Sequence, residues 1–190
     1  MDESSYQWTV DVETDWGGRT KGTTGIDEGM PFILDCFLKY KISGLFFIST
    51  ELLNFHTDVT EQIKFFGHEI GSHGHYHVHF KEKFRAEMDK DLSLEILGNP
   101  KHYRSPKFKL LDSGKYSNPS GHVGLLKHLW LKTRIPENPI FYLHPFDLVG
   151  GKNPPNLFCR YWYSKPNDSR KLFLKLLEKN PSLNDIGETI

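Results

Sequence analysis

The sequence predicts a parallel α/β fold in a single catalytic domain, residues 1–190, and three observations predict it. Short apolar runs rich in aromatic and β-branched residues recur at 6–12, 42–49 and 140–143, with a shorter one at 68–72. Between them lie stretches whose apolar residues repeat at helical spacing. The residues best suited to chemistry, Asp11, His73, Arg104 and His144, all fall where a predicted strand ends. Parallel α/β folds gather their sites there.

Each element has its own grounds. Residues 6–12 alternate and carry Tyr6, Trp8, Thr9 and Val10, which makes a buried first strand. That strand ends in the acids Asp11, Glu13 and Asp15, and Trp16-Gly17-Gly18 follows as a loop. Residues 29–40 read as a helix, with Pro31 at the start and Phe32, Leu34, Phe37 and Leu38 as apolar positions. Residues 44–48 are wholly apolar, the pattern of a strand covered on both faces. A helix over 57–66 leads to the short strand 68–72. Residues 82–97 form another helix with Phe84, Met88, Leu92 and Ile96 along its apolar face. Ser, Gly, Asn and Pro crowd 112–124, so that segment is irregular. The last strand, 140–143, runs into His144-Pro145. A closing helix over 170–177 presents Leu172, Phe173, Leu176 and Leu177.

Composition narrows the function class. Hydrophobic residues are 37%, aromatic 14% and charged 25% of 190, an ordinary globular balance. Lysine plus arginine equals aspartate plus glutamate at 24 each, so no net field recruits nucleic acid or an anionic membrane. Only Cys36 and Cys159 are present, with no CxxC pair, and Cys36 reads as a buried free thiol. The acidic residues 1–5 lack a secretory pattern and no apolar run reaches membrane length, which gives a cytoplasmic expectation.

His73, His75, His77 and His79 alternate through one mid-chain stretch, which points to a divalent metal. Residues four apart, such as His73 and His77, share a face if the stretch is helical. A hydrolytic site of two histidines and one carboxylate keeps open positions for water and substrate. Asp11, Glu13 and Asp15 offer that carboxylate. If the first strand stays extended, Asp11 and Glu13 share one side, so one can bind metal while the other takes a proton from the attacking water. His144 is placed to protonate a leaving amine, and Arg104 to hold the free carboxylate ionised. Taken singly, Arg104 also fits a surface salt bridge and His144 a hydrogen-bonded structural histidine. The stretch His68-Glu69-Ile70-Gly71-Ser72-His73 is one residue too long for the zinc-protease pattern H-E-x-x-H.

These motifs resemble the polysaccharide deacetylase family, also called NodB-homology or carbohydrate esterase family four. Gly67-His68-Glu69-Ile70-Gly71-Ser72-His73 followed by His77 is similar to its metal motif. Gly44-Leu45-Phe46-Phe47-Ile48, Tyr103-Arg104-Ser105-Pro106 and Leu143-His144-Pro145 resemble its T-F-F-V, F-R-x-P and L-x-H motifs. The resemblance implies a distorted, incomplete (β/α) barrel holding one divalent metal, usually zinc, that deacetylates sugars. It implies His73 and His77 as ligands, Arg104 as the residue positioning the base, and His144 as the general acid.

The first motif departs from the family's T-F-D-D-G. Asp11 aligns with the base and Val12 stands in the ligand's place; resemblance to members with an acid-x-acid arrangement implies Glu13 as the third ligand, with Asp15 as a substitute. No D-W pair of the fourth motif stands in 107–135. Trp16, Tyr103, Tyr142 and Phe146 are candidates for an aromatic floor under a sugar. The expected role is a carbohydrate deacetylase of surface-polysaccharide or O-antigen (lipopolysaccharide) assembly. A hydrolase of amides or cyclic imides, or an inactive sugar-binding relative, are the alternatives.

Overall fold

The structure is a computed structural model and describes residues 7–78, 80–106, 121–123, 139–162 and 165–178. Six strands form one sheet: β1 Trp8–Val12, β2 Leu45–Ile48, β3 Glu69–Ser72, β4 His102–Tyr103, β5 Gly121–His122 and β6 Phe141–Leu143. All pair in parallel, in the order β4-β3-β2-β1-β6-β5, so β4 and β5 lie at opposite edges and the sheet stays open. The helices are a one-turn α1 Asp15–Gly18, α2 Met30–Lys39, α3 Val59–Phe65, α4 Lys83–Ile96, α5 Leu157–Trp162 and α6 Pro166–Glu178. Among the described residues no helix is long and apolar enough to cross a membrane.

Strand alternation divides the sheet into a packing face and a chemical face. Trp8, Val10 and Val12 of β1 join Phe46, Ile48, Ile70, Phe141 and Leu143 in the main core under α2 and α6. Trp8 sits at its centre, 5.0 Å from Phe141 and 5.3 Å from Phe173 between ring centroids. Thr9, Asp11 and Glu13 point the other way, yet all three are buried. On that side Gly71 leaves the space that the Phe47 ring fills, since a Cβ there would lie 2.7 Å from the ring.

The structure differs from the sequence expectation in three places. Phe84, Met88, Leu92 and Ile96 of α4 face solvent at 41–69% exposure, while Ala86, Asp89 and Ser93 are buried. The inward face is small and polar because it docks by hydrogen bonds: Ser93 Oγ lies 2.6 Å from Ser72 Oγ, and Asp89 receives backbone amides. Gly121 and His122, expected in an irregular stretch, pair with Phe141 and Tyr142 as β5; residues 112–120 lie outside the described residues, as do 1–6. Trp16-Gly17-Gly18 keeps the expected loop character: its φ of 65°, 71° and 69° make α1 a tight left-handed turn, not a right-handed helix. Helix α5 had no clear signal in the sequence.

Candidate active site

Residues at the carboxyl ends of β1, β3, β4 and β6 converge into one cluster. Arg104, just after β4, is fully buried. Its Nη1 donates to Asp11 Oδ1 and its Nη2 to Thr9 Oγ1 at 2.9 Å, while its guanidinium carbon lies 4.2 Å from the Phe47 ring centre. A planar fork stacked on an aromatic face suits such a buried pair. Burial pushes the Asp11 pKa up, but Arg104, then His73 and His144, outweigh it and hold the carboxyl below its ordinary value. Asp11 is therefore ionised at neutral pH.

His73 leaves β3 with Nδ1 2.8 Å from the Arg104 carbonyl oxygen. A carbonyl only accepts, so Nδ1 carries the proton and Nε2 keeps its lone pair. That Nε2 lies 3.7 Å from Glu13 Oε2 and 3.8 Å from Asp11 Oδ2. Burial drops the His73 pKa to about 4. The stretch after His73 is a loop, not a helix, and His77 turns back with φ 50° to place Nε2 2.5 Å from Glu13 Oε2. Asp89 fixes this loop by accepting the His75 and Tyr76 amides at 2.9 and 3.0 Å. His75 is bound to Thr50 at 2.8 Å, and His79 lies outside the described residues.

Glu13 is 1% exposed, and among the described residues no donor is aligned with either of its oxygens. Such a carboxylate is costly to bury unless something else ligates it. Burial raises its pKa, while His77, His144 and His73 together bring it below the ordinary value. One ligand atom each from Glu13, His73 and His77 lies within 4.8 Å of the others, a two-nitrogen, one-oxygen set suited to zinc. Asp15 is committed elsewhere: its oxygens accept the Thr24 and Gly25 amides at 3.1 and 2.8 Å.

His144 follows β6, with Nε2 3.3 Å from Glu13 Oε1 and Nδ1 3.2 Å from Asp147 Oδ2. Asp147 Oδ2 also accepts the His144 amide and His122 Nε2, both at 2.7 Å. Both imidazoles therefore present N–H groups to it, which leaves His144 Nε2 facing the cluster. Burial lowers the His144 pKa, but Asp147, then Glu13 and Asp11, outweigh it and raise it to about 9. Asp147 is itself held well below the carboxylate range, where His122 and His144 outweigh burial. Asp147 had a sequence signal that went unread, an acid three residues after His144 with Pro145 opening the turn, as in a capping box. His122 had none.

The aromatic candidates separate. Trp16 is 3% exposed, packs on Phe146 at 5.8 Å and donates from Nε1 to the Lys152 carbonyl, so its ring is turned into the protein. Tyr103 faces α4 beneath Lys90, opposite Arg104 in strand alternation, with burial pushing its pKa up to about 12. Phe146 is buried against the His144 ring. Tyr142, half-buried and stacked on His122 at 4.4 Å, is the candidate on the chemical face.

His68 belongs to the core rather than the site. It stacks on Phe46 at 5.0 Å, and burial lowers its pKa from 6.5 to about 4. The unfolded chain therefore binds more protons between those values, so stability is full above about 6.5 and lost as pH falls toward 4. In chelator-treated protein, the drop in melting temperature between pH 7 and 4.5 should shrink in His68→Phe; equal drops would refute this account.

Residues 21–96 match the family model described as polysaccharide deacetylase. The matched stretch holds His73 and His77 and begins after the divergent acids of β1. Deacetylase structures share the fold across nearly the whole chain. A family 4 carbohydrate esterase from Streptomyces lividans, solved with acetate, is 11% identical at a TM-score of 0.51, with 90% of each chain covered. A peptidoglycan N-acetylglucosamine deacetylase is 16% identical at 0.53, covering 94% of this chain and 92% of that one. A family pseudoenzyme from Bacillus anthracis is 13% identical at 0.53 over 90% of this chain, which spans 62% of the pseudoenzyme's length. The fold is thus the open, distorted (β/α) barrel of the deacetylases. No curated protein matches the chain in a sequence comparison.

Proposed function

We propose that the protein is a zinc-dependent deacetylase that hydrolyses an acetyl group, N-acetyl first, from a sugar. The observation that carries this reading is Glu13: a buried carboxylate with no aligned hydrogen-bond donor among the described residues, facing the Nε2 atoms of His73, His77 and His144. Glu13, His73 and His77 would hold the ion. An ion bound there would supply Lewis-acid chemistry, polarising the acetyl carbonyl and lowering the pKa of water.

The chain's own groups supply the proton transfers. Asp11, ionised and oriented by Arg104, takes the proton of the attacking water at its second oxygen. His144, protonated at neutral pH, gives a proton from Nε2 to the departing sugar amine. Asp147 holds the ring so that this nitrogen faces the site. Tyr142 offers an aromatic surface beside it.

The test is acetate release from N-acetylated monosaccharides, nucleotide sugars and peptidoglycan or chitin oligosaccharides, with and without chelator. Release that stops with chelator and returns with zinc is expected. Turnover of nucleotide sugars alone would favour cytoplasmic surface-polysaccharide assembly. Turnover of cyclic imides alone would favour an amide hydrolase. Sugar binding without acetate from any substrate would make the protein an inactive relative. Metal analysis of His73→Ala should show zinc affinity reduced by more than about 100-fold, the upper end for losing a mere outer-shell partner. Equal zinc content would remove His73 from the ligand set.

A further inference from the structure

Gly18 lies directly over His77, the candidate ligand on the loop after β3. A Cβ built on Gly18 would stand 2.7 Å from His77 Nδ1, 3.2 Å from Cγ and 3.3 Å from Cβ. Neither side can retreat cheaply. The Gly18 amide is tied to the Thr14 carbonyl oxygen at 3.1 Å. Trp16, two residues before, is pinned by its bond to Lys152 and by Gly151, whose own Cβ would meet the indole at 2.7 Å. On the other side, Asp89 holds the amides of His75 and Tyr76 immediately before His77. His77 is itself in the left-handed region, so its backbone has little room to adjust.

The turn that carries Gly18 begins right after Glu13. Val12 is packed in the core, so Glu13 is the next inward position after Asp11. The chain then reverses at once through three left-handed residues, Trp16, Gly17 and Gly18. This reversal brings Gly18 onto the far edge of the same imidazole whose Nε2 meets Glu13.

We propose that Gly18 is a positioning residue for the metal site: its bare backbone leaves the space in which the His77 imidazole is held with Nε2 against Glu13. This rests on the reading of Glu13, His73 and His77 as zinc ligands. A side chain at Gly18 would push the ring off that line and weaken zinc binding before any substrate is involved.

Zinc competition against a chromophoric chelator, with melting of the metal-free protein, tests this in wild type, Gly18→Ala and Gly98→Ala. Gly98 has φ 74° and, among the described residues, nothing within 4 Å of its Cβ, so its alanine variant carries the left-handed strain without the contact. Both variants should lose stability, Gly18→Ala the more because it adds the contact. Zinc affinity should fall about 10- to 100-fold in Gly18→Ala, as for losing an outer-shell support, and stay at the wild-type value in Gly98→Ala. Gly18→Asn, whose side chain tolerates positive φ better, serves if the alanine variant fails to fold and should show the same loss. In a His77→Ala background, adding Gly18→Ala should change affinity no further. Wild-type affinity in either Gly18 variant overturns the proposal alone. Wild type that binds no zinc overturns the ligand reading as well.

Discussion

Asp11→Asn should lower acetate release about 100- to 10,000-fold, the usual worth of a positioned proton acceptor, while zinc content stays at the wild-type level. The split follows from the geometry. Asp11 Oδ2 is 3.8 Å from His73 Nε2, but the two imidazoles and Glu13 form a three-ligand set without it. Asparagine keeps the shape and can still accept a bond from Arg104, yet cannot take a proton. Rates within a few fold of wild type would remove Asp11 from the chemistry, and simultaneous loss of zinc would make it a ligand.

Arg104→Leu carries the largest expected effect on stability. The substitution leaves Asp11 as an uncompensated charge at 1% exposure and strips the stacking on Phe47. Breaking a buried pair this way costs about 3–5 kcal/mol. For a chain of this size that lowers the melting temperature by roughly 6–20 °C. Adding Asp11→Asn should recover part of the loss, because the stranded charge is then gone. A double variant no more stable than Arg104→Leu would mean that packing, not the charge pair, sets the cost.

The sequence made β1, β3 and β6 legible because β1 alternates, the other two stand out as short apolar runs, and their ends carry Asp11, His73 and His144. It also located Glu13 and His77, although the premise of a shared helical face was not how they meet: His77 reaches Glu13 through a left-handed turn. The face of α4 was misread for a physical reason. Apolar spacing marks a core face only when helix and sheet meet through bulk, and here they meet through Ala86, Asp89 and Ser93. His122 was not legible because its partner Asp147 is 25 residues away, joined only by strand pairing. Trp16 lies beside the acids in sequence, but its ring turns away to bond Lys152.

Asp147 binds the His144 side chain and the His144 amide with one oxygen, and its helical turn is the structure that lets it do so. Posture and folding of His144 are thereby written into a single residue. The His144 amide proton becomes an internal gauge: its exchange with solvent tracks how often the imidazole is released, in resting protein with no sugar added.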